Sequence, residues 1–381
     1  MIRLIFRLIA IALVVMPMSS CGGHRTDAVQ SDGGDAVEMN YAKILTLERC
    51  DGGYTIASIR NPWDTTRLLQ RYILVADSAI TTASLPEGTV VRVPLRNSLV
   101  YSAVHQSLIS ELGAAEAIGG VCDSKYIQDP ALLHRIADGN VVDCGSNYTP
   151  DIEKIIALSP DAILLSPYEN SGTYGKIGTM GIPLIECADY MESSPLGRME
   201  WVKFFGLLFG ADDEAERLFA AVEGEYNGLK SLVDSVGGKR PRVLMDLIYG
   251  NTWYVPTANS TMGVLIADAG GINPFDRSGK AGSAGLAGEQ VLHEAGDADL
   301  WLLRYSQAAD KTIAELAGDN PVYSQFQALK SGQVYGCNLE KVNYFEETPF
   351  HPHLILRDLI KIFHPDIEVG GELRYFSRLE P

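Results

Sequence analysis

The sequence predicts an α/β protein made of two lobes that are joined by a long helical segment. Short apolar strand segments alternate with helical segments in both halves of the chain, which is typical of parallel sheets covered by helices on both faces. This alternation stops between residues 195 and 236, where the pattern is helical apart from a break at Gly210. A length of 381 residues is sufficient for two domains of ordinary size.

Residues 1–21 have the features of a secretory signal. Arg3 and Arg7 precede an apolar core from Leu8 to Met18, and small residues lead to Cys21. The apolar run is too short to cross a membrane as a helix, so we expect it to be cleaved. Residues 22–41 are small, polar and without periodicity, which predicts a flexible tether.

The first lobe is predicted to span residues 42–194. It opens with hairpin-like strands between Ala42 and Val75, and alternating strands and helices follow. The stretch TPDIEKIIALSPDAILLSPYEN, which begins at Thr149, predicts a helix that Thr149 caps and a buried strand from Ala162 to Leu165.

Residues 195–236 are predicted to form the helical linker, and residues 237–381 the second lobe. The second half of the linker has apolar residues at helical spacing, with Asp212 placed as a cap. Alternation then resumes with the strand RVLMDLI, the helix GEQVLHEA, the strand LWLLRY and a closing helix around Leu354–Phe363.

Charge and composition argue against several classes of protein. A formal net charge of −17 opposes binding to nucleic acid, whose phosphates require clusters of Lys and Arg. Hydrophobic residues make up 46% of the chain, which is typical of a globular protein. Rossmann fingerprints, P-loops and GxSxG motifs do not occur in the sequence, so we expect a protein that is not an enzyme and holds no cofactor.

The histidine and cysteine patterns predict no metal site. Of seven histidines only His351 and His353 lie close together, and on an extended strand they would point to opposite sides. The cysteines other than Cys21 have scattered spacing, typical of small buried residues. A disulfide between Cys122 and Cys144 would be compatible with secretion, but their spacing does not select it.

The two lobes also contain similar sequences. TPDIEKIIALSPDAILL in the first lobe and GLAGEQVLHEAGDADLWLL in the second align Glu153 with Glu289. In each segment an Asp-Ala pair follows, at Asp161 and Asp297. Together with the two-lobe layout this similarity indicates an internal repeat.

These features resemble a known family. MSSC followed by CGG resembles a lipobox with Cys21 as the lipidated residue, and the unit PxxExIxxLxPDxIL occurs between Pro150 and Leu164. With its counterpart LAGEQVL, from Leu286 to Leu292, and the linking helix, residues 60–365 resemble class III substrate-binding proteins of ABC importers. The stretches NPWDTTRLLQRYILV and ECADYMESSPLGRMEW resemble a branch common in Bacteroidetes that binds iron compounds.

The resemblance implies a fold, a location and a function. The fold would be that of class III periplasmic binding proteins, with two Rossmann-like lobes, parallel central sheets and one long helix between them. We expect a monomer in the periplasm, lipid-anchored to the membrane, that captures an iron chelate such as a ferric siderophore. Cobalamin or haem is the alternative ligand, and a surface receptor without an ABC partner is the alternative of another class.

The resemblance also implies how the protein meets its partners, an ABC permease dimer and its ATPase. In this family one outward glutamate on each lobe docks into arginine pockets of the two permease subunits. Glu153 and Glu289 match those positions. Two carboxylates on separate rigid lobes can engage two arginines at a fixed spacing.

The ligand is expected between the lobes, on loops at the carboxyl ends of parallel strands. Aromatic faces there suit a large flat ligand, and arginines can pair with ligand carboxylates. If the ligand is haem, the tyrosinate ligand to iron is expected from Tyr168, Tyr190 or Tyr254. The predicted ligand-binding residues are Arg96, Tyr101, Tyr168, Asn170, Tyr190, Arg198, Tyr249, Trp253, Tyr254, Arg304, Tyr305 and Tyr344.

Overall fold

The computed structural model describes residues 34–76, 85–169, 174–276 and 282–381. The predicted signal sequence with its lipidation site Cys21 lies outside the described residues. So does Asn170, one of the predicted ligand-binding residues.

An N-terminal sheet precedes the two lobes. Its five strands lie in the order β1-β2-β3-β4-β5, with β2, β3 and β4 as an antiparallel meander and β5 parallel to β4. The predicted hairpin strands are therefore confirmed. The strands are β1 (Asp35–Ala36), β2 (Leu45–Cys50), β3 (Tyr54–Arg60), β4 (Leu68–Val75) and β5 (Thr89–Arg92).

The folded region begins before the predicted end of the tether. Residues Asp35 and Ala36 pair with β2, and the backbone N–H groups of Asn40 and Tyr41 are bonded to a buried carboxylate. The expectation of a flexible tether through residue 41 is wrong for residues 34–41, because partners distant in sequence satisfy their backbone.

The first lobe contains a five-stranded parallel sheet in the order β10-β9-β6-β7-β8. This order confirms the predicted parallel sheet, and β9 has the predicted bounds. The elements are β6 (Ser98–Val100), α1 (Ala103–Glu111), β7 (Ile118–Val121), α2 (Pro130–Ala137), β8 (Val142–Asp143), α3 (Ile152–Leu158), β9 (Ala162–Leu165) and β10 (Leu184–Glu186).

Helix α3 starts later than the sequence predicted. Asp151, not Thr149, is the N-cap, because its carboxylate accepts the N–H of Lys154 at 3.1 Å. Pro150 instead forms a bridge with Gly145 in the preceding loop.

The edge strand β10 is bonded to the N-terminal sheet through one side chain. The hydroxyl of Tyr72, a fully buried residue of β4, accepts the N–H of Glu186 at 2.8 Å and donates to the carbonyl of Leu184 at 2.9 Å. One hydroxyl therefore satisfies a donor and an acceptor at the outer edge of the sheet.

Three helices connect the lobes: α4 (Pro195–Glu200), α5 (Val202–Phe209) and the 25-residue α6 (Asp212–Val236). Gly210 ends α5 with a φ of +67°, a conformation that glycine adopts without a steric penalty. Asp212 is the first residue of α6 and not its cap.

The second lobe has two sheets. The main sheet has the order β11-β15-β16-β17, with β11, β15 and β16 parallel, and a smaller antiparallel sheet has the order β12-β13-β14. Its strands are β11 (Val243–Met245), β12 (Ile248–Tyr249), β13 (Thr252–Pro256), β14 (Ser283–Leu286), β15 (Leu300–Tyr305), β16 (Val334–Asn338) and β17 (Ser377–Arg378).

The helices of the second lobe cover these sheets. The helix GEQVLHEA and the strand LWLLRY have the predicted bounds. His351 and His353 lie at the start of the closing helix and not on an extended strand, because Pro352 is its first residue. The helices are α7 (Thr261–Asp268), α8 (Gly288–Ala295), α9 (Ile313–Asp319), α10 (Gln327–Lys330), α11 (Tyr344–Glu347) and α12 (Pro352–Phe363).

The linker helices belong to the core of the first lobe. Trp201, Phe204 and Phe205 are completely buried there, against side chains of both the N-terminal sheet and the parallel sheet. The buried face of α6 continues into the core of the second lobe through Tyr226 and Val233.

Two buried carboxylates bind the N-terminal segment to this linker. Glu200 is fully buried and accepts the backbone N–H groups of Asn40, Tyr41 and Ala42, each at 2.8 Å, while Lys203 lies 3.5 Å away. These hydrogen bonds offset the cost of burying the charge of Glu200.

A second carboxylate continues the same arrangement. Glu192 accepts the N–H groups of Lys43 and Ile44 at 3.0 to 3.1 Å and the indole N–H of Trp201 at 3.1 Å. Burial raises the pKa of Glu192, although these hydrogen bonds act in the opposite direction. We call Glu192 and Glu200 with their five backbone donors the N-terminal clamp.

We expect Glu200→Gln to lower the free energy of unfolding by about 3 kcal/mol, since a charge that accepts three N–H groups is replaced by an amide. Urea unfolding followed by tryptophan fluorescence would measure the loss. The exposed Glu372→Gln is the matched control, for which a change below about 0.5 kcal/mol is expected. Equal losses in the two variants would contradict the role of the clamp.

Candidate functional site

The carboxyl edges of the two parallel sheets face each other. The N–H of Gln128, in the loop after β7, donates to Glu346 Oε1 of α11 at 3.3 Å. His351 Nε2 lies 2.9 Å from Glu111 Oε2 at the end of α1. The loops at these edges therefore form the two walls of an interlobe cleft, as the fold class predicts.

A tyrosine follows every strand of the first-lobe sheet at this edge. Tyr101 is buried, whereas the other four are exposed. The sequence analysis missed Tyr126 and Tyr148, which follow β7 and the short strand β8. The five tyrosines are Tyr101, Tyr126, Tyr148, Tyr168 and Tyr190.

The loops after β9 and β10 are joined by tyrosine contacts. The hydroxyl of Tyr190 donates to the carbonyl of Pro167 at 2.5 Å, which holds the loop that carries Tyr168. The ring of Tyr174 meets that of Tyr168 edge-on at 6.4 Å, and its hydroxyl donates to the buried Glu186. Tyr168 thus offers an exposed ring on a supported loop, while the hydroxyl of Tyr190 is already engaged.

A buried charged group lies beneath these loops. Asp189 is fully buried, with His105 Nε2 at 2.8 Å from one carboxylate oxygen and Arg198 Nε at 2.9 Å from the other. Burial alone would raise the pKa of Asp189, but His105 and Arg198 hold it below its ordinary value. Arg198, predicted to meet ligand carboxylates, therefore already has a carboxylate partner.

A row of buried side chains lies beneath the first wall of the cleft, where adjacent strands end. In the strand register Val100 pairs with Val121, and Val121 with Asp143, so Tyr101, Cys122 and Cys144 follow in line. Burial raises the pKa of both thiols, that of Cys144 to about 11, and both cysteines are free. The Tyr101 hydroxyl is buried and makes no hydrogen bond within the described part of the chain.

The second wall is built on a paired arginine. Arg304, near the end of β15, binds Asp246 with two hydrogen bonds of 2.8 and 2.5 Å. Its guanidinium also lies 5.4 Å from the ring centre of Tyr344 and 5.7 Å from that of Phe345. The sequence analysis missed Asp246, although an acid that interrupts the apolar run RVLMDLI was a visible signal.

Asp246 is held in an uncommon backbone conformation. Its φ is +61°, and its N–H donates to the carbonyl of Leu302 at 2.8 Å. This left-handed conformation directly after β11 directs the carboxylate to Arg304, and such strain is found where a side chain must be placed accurately.

Exposed aromatic rings of the second lobe lie on the small sheet and on α11. Tyr254 is exposed on β13, and Tyr249 is exposed at the turn of the β12–β13 hairpin. On α11 the exposed ring is that of Phe345, whereas Tyr344 is buried beneath it.

One predicted arginine lies at the wrong edge of the sheet. The strand that precedes Arg96 in the sequence is β5 of the N-terminal sheet, and Arg96 itself lies before β6. Its backbone N–H donates to Asp161 at 2.8 Å, beside the amino end of β9. Arg96 is therefore excluded from the cleft.

Three predicted ligand contacts are core residues. Trp253 is fully buried, donates its indole N–H to the carbonyl of Met245 at 2.9 Å and packs on Trp301. Tyr305 is buried, and its hydroxyl accepts the N–H of Lys311 at 3.0 Å. Tyr344 is packed between the second-lobe core and Arg304. From sequence alone, an aromatic residue near a strand end cannot be assigned to the core or to the cleft, because the orientation of the strand decides which of the two its side chain faces.

The described residues contain no group of three or more His, Cys, Asp or Glu side chains placed to hold a metal ion. In the same ranges no helix is long and apolar enough to span a membrane.

The predicted docking glutamates occupy equivalent places. Glu153 lies in the first turn of α3 and Glu289 in the first turn of α8, and both are exposed. Each helix follows the carboxyl edge of its lobe, so both glutamates lie on the side of the molecule where the cleft opens.

Comparison with known proteins identifies the family. Residues 100–339 match the family model described as "Periplasmic binding protein". The chain belongs to this family. An uncharacterized lipoprotein of Methanocaldococcus jannaschii is 31% identical to this periplasmic binding protein over 301 residues, which is 76% of this chain and 70% of that one.

Other relatives agree with this assignment. A cobalamin-binding protein of Halobacterium salinarum is 24% identical over 269 residues, 70% of this chain and 68% of that one. A periplasmic haem-binding protein of Pseudomonas aeruginosa has a similar fold, with a TM-score of 0.58 at 16% identity, covering 75% of this chain and 99% of that one. The predicted class III periplasmic binding protein fold is confirmed.

We expect the contribution of Asp189 to stability to depend on pH. Its folded-state pKa lies below the ordinary 3.8, so its contribution is complete above that value and is lost as the pH falls through the folded pKa. Asp189→Asn should lower the free energy of unfolding by about 3 kcal/mol at pH 7, and this difference should narrow below about pH 4. Urea unfolding at pH 7 and pH 3 tests it.

The exposed Asp366→Asn is the control, with a small effect at both pH values. A difference between wild type and Asp189→Asn that stays constant with pH would show that the loss comes from packing and not from charge.

Proposed function

We propose that this protein is lipid-anchored through Cys21 and captures an iron chelate of low net charge in the interlobe cleft. It then delivers the chelate to an ABC permease dimer with its ATPase. The observation that carries the low charge is that both arginines of the two walls already have carboxylate partners. The sequence resemblance to binders of iron compounds supports iron as the metal.

The carboxylate partners of these two arginines change the expected mode of ligand recognition. Arg198 was expected to pair with a ligand carboxylate, but Asp189 occupies it at 2.9 Å. Arg304 was expected to do the same, but Asp246 accepts hydrogen bonds from its Nε and one of its Nη atoms. A strongly anionic chelate would therefore meet two arginines whose charge a protein carboxylate already balances.

What the walls offer is aromatic surface. Tyr168 and Tyr190 on the first lobe and Tyr254 and Phe345 on the second are exposed at the carboxyl edges. Aromatic rings bury large areas and suit a broad, weakly charged ligand. A neutral ferric siderophore has these properties.

Cobalamin is the second candidate. It is large and carries little charge, so the same two paired arginines favour it over an anionic chelate. The likeness to a cobalamin-binding protein of Halobacterium salinarum supports it. Haem is the less favoured choice, because its carboxylates would need unpaired cations.

Titration calorimetry with a neutral ferric hydroxamate siderophore, cyanocobalamin and haemin tests the choice of ligand. We expect the first or second to bind at least tenfold more tightly than haemin. Tyr168→Ala and Tyr254→Ala should each weaken that binding about tenfold, since each removes a ring from the cleft.

Arg96→Ala is the matched control and should bind as the wild type does, because Arg96 lies at the opposite edge of the sheet. Tightest binding of haemin, or of an anionic chelate, would contradict the proposal of a low-charge ligand.

Glu153 and Glu289 are proposed to dock the two permease subunits. Their equivalent positions, each exposed in the first turn of a helix, support this role. Carboxylates at the first turn are also favoured by the helix dipole, so their exposure alone would not distinguish docking from solvation.

We expect the double variant Glu153→Ala, Glu289→Ala to abolish uptake of the ligand by cells while its affinity for the ligand is unchanged. Uptake of labelled ligand and calorimetry measure the two properties separately. Uptake at the wild-type rate would refute docking and favour a receptor that works without an ABC partner.

A further inference from the structure

We propose that Tyr148 and Tyr249 are apolar anchors for the permease, one beside each docking glutamate. This inference rests on the proposed docking of Glu153 and Glu289 and adds a second contact at each of these two places. The sequence analysis assigned Tyr249 to the ligand and did not consider Tyr148.

Exposure is the first observation. Tyr148 is 92% exposed and Tyr249 is 82% exposed, the two highest values among the large apolar side chains of the described residues. Tyrosine is enriched where a protein surface becomes buried in an interface, because its ring supplies area at little entropic cost. The two most exposed rings of the described chain therefore lie in the loop before α3 and in the hairpin before α8.

In the first lobe Tyr148 lies at the tip of a closed loop that leads into α3. Gly145 and Pro150 form a bridge at its base, and the N–H of Asp151 donates to the carbonyl of Cys144 at 2.8 Å. Asp151 then caps the helix that carries Glu153. The tyrosine and the glutamate are thus held on one short, hydrogen-bonded unit.

In the second lobe Tyr249 lies at the turn of the β12–β13 hairpin, which packs against the start of α8. Ile248 donates its N–H to the hydroxyl of the buried Tyr323 at 2.8 Å, which fixes the hairpin. The side chain of Ile248 also lies close to Gly288, since a Cβ atom added to Gly288 would be 3.1 Å from Ile248 Cδ1. The hairpin therefore contacts the residue next to Glu289.

Both lobes carry an exposed tyrosine close in the fold to a docking helix, but the two tyrosines lie on different structural elements. One tyrosine is carried by the loop GSNYTP before a helix, and the other by the hairpin IYGNTW from an additional small sheet. A ligand within the cleft would not require the same acid and ring on both lobes. A partner that presents the same surface twice does, and a permease dimer presents its surface in this way.

The first-lobe patch also extends along its helix. Ile156, one turn after Glu153 on α3, is 62% exposed. When a partner covers such a surface, the contacts around the charged group exclude water from it.

Binding to the partner tests the inference. The probe is the permease–ATPase complex of the native host, purified and reconstituted in nanodiscs, with binding measured by biolayer interferometry. Tyr148→Ala and Tyr249→Ala should each weaken binding about tenfold, and the double variant about a hundredfold, because the two rings lie on different lobes and share no contact. Tyr148→Phe and Tyr249→Phe should retain binding, since the ring remains.

Leu133→Ala is the control, because this exposed apolar side chain lies on α2, which carries neither docking glutamate. It should bind the complex as the wild type does. Ligand affinity, measured by calorimetry, should be unchanged in all of these variants.

Two results would overturn the inference alone. In the first, the double tyrosine variant binds the complex fully while Glu153→Ala with Glu289→Ala abolishes binding. In the second, the tyrosine variants lose ligand affinity in parallel with their binding to the complex. Failure of the wild-type protein to bind the complex would overturn both this inference and the proposed docking.

Discussion

The N-terminal clamp is the constraint on which the arrangement of the fold depends. Two buried carboxylates, Glu192 and Glu200, bind the backbone from Asn40 to Ile44 and so fix where the N-terminal sheet meets the linker helices. Because the same helices fill the core of the first lobe and continue into the second, a shift at this point would move both. Burying such charges is costly, and their complete set of donors makes it tolerable.

Carboxylates with fixed partners also determine the character of the cleft. Asp189 and Asp246 each neutralise an arginine that sequence reasoning assigned to the ligand, and each lies at the end of a strand or just after it. The walls consequently present rings and few unpaired charges. Selectivity for a chelate would then come from shape and desolvation more than from ionic attraction.

Much of the fold follows from sequence periodicity. The strands Ala162–Leu165 and Leu300–Tyr305 and the helix Gly288–Ala295 have the bounds that their patterns predicted, because each is a strongly apolar or amphipathic run between clear breaks. The N-terminal segment was misjudged because Glu200, which holds it, is about 160 residues away in sequence.

The site was harder to predict than the fold. Tyr168 and Tyr254, predicted to bind the ligand, are exposed, whereas Trp253 and Tyr305 are core residues one position away from Tyr254 and Arg304. On a strand, neighbouring residues point to opposite faces, so an error of one residue changes a ligand contact into a core residue. Arg96 was misplaced for a different reason, since the strand before it belongs to another sheet.

The bonds of Tyr72 to strand β10 have a consequence for the outer edge of the first-lobe sheet. An edge strand with unpaired backbone groups is a template for pairing with a second chain. The Tyr72 hydroxyl engages both the N–H of Glu186 and the carbonyl of Leu184. The N-terminal sheet thus blocks strand addition at this edge while leaving the carboxyl ends of the strands free for the cleft.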